Sequence, residues 1–228
     1  MIVTIDGPAG SGKSTAARGL ARALGVAFLD TGAMYRAVTL AAMRAGVELS
    51  DEQAITSAAA GLDLHMDGAG ESPRVLLAGQ DVTAAIRTAE VTEKSYYAAR
   101  SPGVRAVMAR MQRRIGLDLA ARTGGVVTEG RDQGSVVFPE ADVKFYLDAA
   151  PEVRARRRQA DLAAAGEQVN YEHVLRAVVQ RDQRDAGRAV APLVRPAGAV
   201  ALDTSDLGIE QMVARMVEVV RGQGGRQP

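Results

Sequence analysis

The chain has 228 residues, a formal charge of +1, 24% charged residues and no cysteine, which excludes disulfides, thiolate metal sites and a cysteine nucleophile. Balanced charge requires neither a nucleic-acid polymer nor an anionic membrane as partner, and the length suits one domain that buries a core and carries insertions. Of 28 basic residues only Lys13, Lys94 and Lys144 are lysine; arginine favours bidentate contact with phosphate and carboxylate, although a GC-rich coding bias gives the same skew.

Met1 to Asp6 holds no basic segment followed by a long apolar run, and no stretch of about 18 apolar residues occurs, so a soluble, cytoplasmic protein is expected. Ile2 to Ile5 reads as a buried strand. Directly after it stands Gly7-Pro8-Ala9-Gly10-Ser11-Gly12-Lys13-Ser14, a complete G-x-x-x-x-G-K-[ST] phosphate loop followed by Thr15 and a helical pattern, Ala17, Leu20, Ala21, Leu24, that ends at Gly25. In such a loop the glycines turn backbone N–H groups toward an anion and the helix N-terminus adds its positive end. Lys13 reaches the β- and γ-phosphates, and Ser14 offers a hydroxyl to Mg²⁺. A nucleoside triphosphate is therefore the expected ligand. A base-reading N/T-K-x-D motif is absent, which argues against a switch GTPase, and a chain of this length has no room for the extra domains of a motor or pump.

Phe28-Leu29 reads as a second strand, so Asp30-Thr31-Gly32-Ala33-Met34-Tyr35-Arg36 falls at the carboxyl end of the sheet, where open α/β folds bind ligands. From about Asp63 to Thr83 the pattern turns β-like: Leu62, Leu64 and Met66 share a face, a turn is expected at Asp67-Gly68-Ala69-Gly70, and Val75 and Leu77 precede Gly79. This stretch predicts a small antiparallel insert. Met108 and Met111 belong to a helix after Pro102 and read as core. Val126 to Thr128 is a strand that delivers Glu129, Gly130, Arg131 and Asp132 to the same rim, and Val143 to Leu147 and Ala199 to Leu202 are further strands.

Between the last two strands, Glu152 to Arg188 is arginine-rich and helical in pattern, broken at Gly166, which suggests a mobile helical lid or an ordinary solvated hairpin. Its run Arg154 to Arg158 also admits an RNA-binding patch, but no aromatic residues interleave it. Arg181, Asp185 and Arg188 share one helical face, as an anion site or a surface ion-pair ladder would place them. A final helix carries Ile209, Met212, Val213, Met216, Val217 and Val220, and a tail at Gly222 to Pro228 is expected to be disordered. His65 and His173 lack metal-ligand spacing and read as structural. Strands alternating with helices give an α/β fold with a parallel sheet.

The chain resembles the bacterial cytidylate kinases nearly from end to end. The resemblance is carried by Ile5 to Ser14, Leu29 to Arg36, Ile86-Arg87-Thr88, Pro102-Gly103-Val104-Arg105, Gln112-Arg113, Glu129 to Gly134, Arg181 to Arg188, and Ala189-Val190-Ala191-Pro192-Leu193. It implies a P-loop core with a five-stranded parallel sheet at about 1–35, 105–151 and 189–221, a monophosphate-binding insert with antiparallel β-structure at about 36–104, and a short helical lid at about 152–188, all in one domain. It further implies transfer of the γ-phosphoryl group of ATP to CMP or dCMP, with Mg²⁺, by an enzyme expected to be a monomer. The monophosphate would be held by Thr31, Tyr35, Arg36, Arg105, Arg131, Asp132, Arg181, Asp185 and Arg188. Where the family has a serine that contacts the base, this chain has Tyr96, with Ser95 beside it, so the base contact falls to one or the other.

In the mechanism this implies, Lys13 and Mg²⁺ serve the β- and γ-oxygens, and Arg36, Arg131 and Arg188 the acceptor phosphate. Arg157 and Arg158 close over the reacting centre from the lid, Glu129 holds the metal's water shell, and Asp132 reads the base with Arg131 and Arg105. Rival readings are a P-loop kinase for UMP, AMP or shikimate, and a nucleotide-binding regulatory or RNA-associated module without transfer.

Overall fold

Ile2, Val3, Thr4 and Ile5 put apolar or β-branched side chains on both faces of a strand, which suits a parallel strand covered on both sides. The computed structural model describes residues 1–68, 73–164 and 166–224. In it this segment is β1 (Ile2–Asp6), and the phosphate loop leads into α1 (Lys13–Leu24), closed by Gly25 in the left-handed conformation at φ 68°. β2 (Ala27–Asp30) runs into α2 (Thr31–Arg44), whose cap Asp30 accepts from Ala33 N at 2.8 Å, and α3 (Glu52–Ala60) follows. The insert holds β3 (Leu64–Met66), β4 (Val75–Leu77) and β5 (Gln80–Asp81), and the antiparallel pairing expected of it is present.

Next come α4 (Ala89–Arg100), α5 (Pro102–Thr123), β6 (Val126–Gly130), β7 (Val143–Asp148), α6 (Pro151–Ala164), α7 (Tyr171–Ala186), β8 (Val200–Asp203) and α8 (Ile209–Gly224). Ser101 caps α5 with Pro102 behind it, a pairing that sets the helix start by side-chain acceptor and fixed φ together. The parallel sheet has the order β2-β6-β1-β7-β8. β1 is central, and the chain crosses to β2 on one side and later to β7 on the other, so the crevice at the carboxyl ends of β1 and β6 is where such a sheet accepts ligands.

Alternation along the strands divides the core. Leu29 and Val126 face Met34, Val38, Ile55, Met108 and Leu119 from α2, α3 and α5, whereas Phe28, Val127, Ile5 and Phe145 face Leu20, Met212 and Met216 from α1 and α8. A separate small cluster, Ala155, Val174 and Val178, holds α6 to α7.

Several boundaries differ from expectation. The strands extend past their apolar runs to Asp6, Gly130, Asp148 and Asp203, because parallel pairing satisfies backbone groups whatever the side chain. Of the expected turn at Asp67 to Gly70, residues 69 and 70 lie outside the described residues. The tail expected to be disordered from Gly222 is helical through Gly224, and 225–228 lie outside the described residues. Among the described residues no helix is long and apolar enough to cross a membrane.

Candidate active site

The phosphate loop owes its path to residues without side chains. Gly7 has φ 149° and a Cβ there would lie 2.0 Å from Leu147 O, so any substitution strikes the β7 backbone. Gly12 supplies no side-chain cap, which leaves the first N–H groups of α1 for an anion. Ser11 Oγ donates to Pro8 O at 3.0 Å and Lys13 Nζ to the same carbonyl at 2.5 Å. Burial, and then the charge of Arg131, push the Lys13 ammonium well below its ordinary pKa, against the pull of Glu129. Ser14 Oγ donates to Glu129 Oε1 at 2.9 Å across the gap between α1 and β6.

Facing this loop is a group of arginines, Arg131 and Arg188 partly buried and Arg181 more exposed, around the single buried carboxylate of Asp185. Asp185 accepts from Arg131 Nε at 2.8 Å and from Arg188 Nη2. Burial by itself would raise the Asp185 carboxyl, but Arg131, Arg188 and Arg181 outweigh it and hold it below the ordinary aspartate value. The cations exceed the available anion: burial and Arg131 lower Arg181 to about 10, and burial also lowers Arg188. Three guanidinium groups against one carboxylate make this a net positive site suited to an anion.

Beside it, Arg105 Nη2 donates to Asp132 Oδ2 at 2.6 Å and to Ala191 O at 3.3 Å, its Nη1 donates to Ala99 O at 3.2 Å, and its guanidinium lies 5.8 Å from the centre of the Tyr35 ring. Arg105 Nε is buried with no acceptor among the described residues, as is Arg36 Nε. Burial pushes the Tyr35 phenol up to about 12, so it stays a neutral donor. Arg36 pairs with Asp30 at 3.3 Å, and Thr31 Oγ1 donates to Glu129 O at 2.6 Å. These contacts bring Lys13, Thr31, Tyr35, Arg36, Arg105, Glu129, Arg131, Asp132, Arg181, Asp185 and Arg188 to one rim of the sheet.

Of the expected residues, Arg157, Tyr96 and Ser95 have partners outside this group. Arg157 is turned to the end of β8, donating to Thr204 Oγ1 at 3.1 Å and Thr204 O at 2.5 Å. Arg158 is close enough to Arg181 to lower it electrostatically, and so stays with the arginine group. Tyr96 is 44% exposed, with its ring under Arg100 at 5.4 Å and under Arg184 of α7 at 5.5 Å; Ser95 Oγ donates to Thr92 O within its own helix. Neither hydrogen bonds to Arg105 or Asp132 among the described residues.

With this geometry in view, the comparisons are decisive. A family model described as cytidylate kinase matches residues 3–222. The chain belongs to the cytidylate kinase family. It is 47% identical over 228 residues to the cytidylate kinase of Rhodococcus opacus, covering 99% of this chain and 96% of that protein. It is 44% identical over 219 residues to that of Caldanaerobacter subterraneus, covering 96% and 94%. In fold it is similar to the crystal structure of shikimate kinase from Bacteroides thetaiotaomicron, with TM-score 0.50 at 15% identity over 97% of this chain and 98% of that one.

Two features of this cytidylate kinase family member were missed by sequence reasoning. Arg154 is 3% exposed and donates to Ala149 O at 2.8 Å, to Ala9 O of the phosphate loop at 3.1 Å and to Asp182 of α7 at 2.5 Å. It ties the loop to α6 and α7, a role hidden in a run of similar arginines. The second is the single π-helical turn Gln133–Val137 after Asp132, of a kind frequent at functional sites. As for a metal, the described residues contain no group of three or more His, Asp or Glu side chains able to cage one. The hard oxygens of Ser14 and Glu129 beside a phosphate cradle fit Mg²⁺, which keeps waters and takes phosphate oxygens.

Proposed function

We propose that this protein transfers the γ-phosphoryl group of ATP to CMP or dCMP, giving ADP and CDP or dCDP, in cytoplasmic pyrimidine nucleotide metabolism and as a monomer. The observation that carries the reading is the opposed pair of cationic sites: Lys13 in the phosphate loop, and Arg131, Arg181 and Arg188 sharing Asp185 across from it. Two anions repel, and transfer needs them held in line, so positive charge on both sides supplies the alignment and the neutralisation that the loose transition state requires.

In this reading Gly7 to Thr15 bind the ATP phosphates and Lys13 neutralises charge on the β- and γ-oxygens. Arg36, Arg131 and Arg188 hold the acceptor phosphate, with Thr31, Tyr35, Arg181 and Asp185 around it. Ser14, and Glu129 through water, would hold Mg²⁺, which would supply further charge neutralisation for the phosphates. The segment 152–188 acts as lid, 36–104 as monophosphate insert, and 1–35, 105–151 and 189–221 as core. Arg158 belongs to the lid's inner face, while Arg157 holds the lid to Thr204. No general base is needed, since the attacking phosphate oxygen is already an anion.

Base choice rests on Asp132 with Arg105. Cytosine offers an N4 amino donor beside N3 and O2 acceptors, which suits a carboxylate set among arginine donors; uracil presents O4 and N3–H in reverse. Each mismatch leaves a buried polar group unpaired at about 1 to 3 kcal/mol. ADP release measured with CMP, dCMP, UMP, AMP and shikimate tests the proposal: CMP and dCMP are expected to lead, and a lead for any other acceptor contradicts it.

A further inference from the structure

Asp6 is the last residue of β1, fully buried, and the residue before Gly7 of the phosphate loop. Its carboxylate is buried and, among the described residues, pairs with no cation through a hydrogen bond. Instead Oδ1 accepts from Gln133 N at 2.8 Å and Oδ2 from Gly134 N at 2.7 Å, across 127 and 128 residues of sequence. These are the first two N–H groups of the π-turn, which have no partner within the turn itself.

The two residues just before that turn are Arg131 and Asp132. Arg131 reaches Asp185 and Asp132 reaches Arg105. The turn has little freedom elsewhere: Thr128 Oγ1 donates to Gln133 Oε1 at 2.9 Å, and Gln133 Nε2 donates to Gln112 Oε1 at 3.0 Å. A Cβ on Gly134 would lie 2.8 Å from Thr4 Oγ1 and 3.0 Å from Pro196. One side chain thus holds the segment carrying the acceptor-site residues in register with the strand that ends in the donor-site loop.

We infer that Asp6 is a positioning residue that, through two backbone N–H groups of the turn after Asp132, fixes Arg131 and Asp132 relative to the phosphate loop and so sets acceptor affinity and base choice. This rests on the function proposed above. This two-point grip needs both carboxylate oxygens: an asparagine in its place has one acceptor oxygen, and its NH₂ group faces the second N–H donor to donor. The side chain keeps its volume, so the core is undisturbed while the turn moves away.

The charged and titratable groups acting on this site are Asp132 on the β6 side, Lys13 at the start of α1, and Tyr146 on β7. Burial, against the two N–H bonds, raises the Asp6 carboxyl to about 6. Protonation there turns one oxygen into a donor and loosens the same grip that asparagine loosens.

The test is Asp6→Asn in the full chain, with KM for CMP and UMP at saturating ATP, KM for ATP at saturating CMP, and thermal unfolding. Expected are a fall of about 100-fold in kcat/KM for CMP, as for a displacement of about 1 Å in a positioned group, a narrowed CMP-to-UMP ratio, a KM for ATP that changes far less, and a nearly constant Tm. A lower Tm with unchanged KM for CMP and unchanged ratio assigns Asp6 a structural role and overturns the inference. Wild-type protein that phosphorylates neither CMP nor UMP overturns instead the function on which the inference rests. If the variant does not fold, amide hydrogen exchange at Gln133 and Gly134 in the wild type decides: both N–H groups are expected to exchange slowly, as buried donors to Asp6, and fast exchange at both overturns the inference.

Discussion

Replacing Asp185 by asparagine keeps the shape of the arginine site and removes its counter-charge. The carboxylate is 5% exposed and accepts from Arg131 and Arg188, which are 18% and 17% exposed. Removing one partner of a buried ion pair costs about 3–5 kcal/mol, and the partial exposure of the arginines puts this case at the lower end, about 3 kcal/mol. For a chain of this length that is a fall in Tm of about 6 to 12 °C. The carboxyl is held below its ordinary value of 3.8, so its contribution is present at neutral pH and lost as pH falls below about 4. The deficit at neutral pH is expected to vanish in acid. Inorganic phosphate supplies a replacement anion: at about 100 times its Kd it returns about 2.7 kcal/mol. Scanning calorimetry of both proteins, with and without phosphate, is the assay. An unchanged Tm, or phosphate stabilising the variant no more than the wild type, would refute the reasoning that these arginines form an anion site balanced by Asp185.

Lys13→Ala is expected to lower kcat by about 100- to 1,000-fold with the fold intact by circular dichroism, because the lost charge acts on the transferring group; unchanged turnover removes the phosphate loop from catalysis. Asp132→Ala is expected to reduce kcat/KM for CMP far more than for UMP, and equal losses on the two substrates mean that Asp132 does not read the base. α6 and α7 share their own small cluster of Ala155, Val174 and Val178, so hydrogen exchange across 152–188 is expected to slow as a unit when ATP and CMP analogues bind; equally slow exchange in both states contradicts a moving lid.

How much of this was legible in the sequence follows from where each interaction closes. The phosphate loop is a contiguous string in which backbone conformation is written by glycine and function by Lys13 and Ser14, so pattern alone located it. Arg181, Asp185 and Arg188 were legible as a helical face, but the partner that separates an anion site from an ion-pair ladder, Arg131, lies 54 residues away from Asp185. Arg154 was indistinguishable from its neighbours because its role depends on contacts with Ala9 and Asp182, which only the packing of α6 against α7 and the phosphate loop provides. Asp6 looked like the polar end of a strand, since nothing local marks a carboxylate whose partners are backbone groups at 133 and 134. Tyr96 stands where the resemblance implies a base contact, yet its ring lies against Arg100 and Arg184, a preference of side-chain packing that sequence position does not record.

The most direct test of the central claim follows the phosphorus itself. Purified protein is incubated with ATP labelled at the γ-phosphorus, CMP and Mg²⁺, and the nucleotides are separated. The account predicts that the label appears in the β-phosphate of CDP in step with ADP, at a rate that exceeds label release as free phosphate. Label that appears only as free phosphate, or that moves to UMP as readily as to CMP, would contradict it.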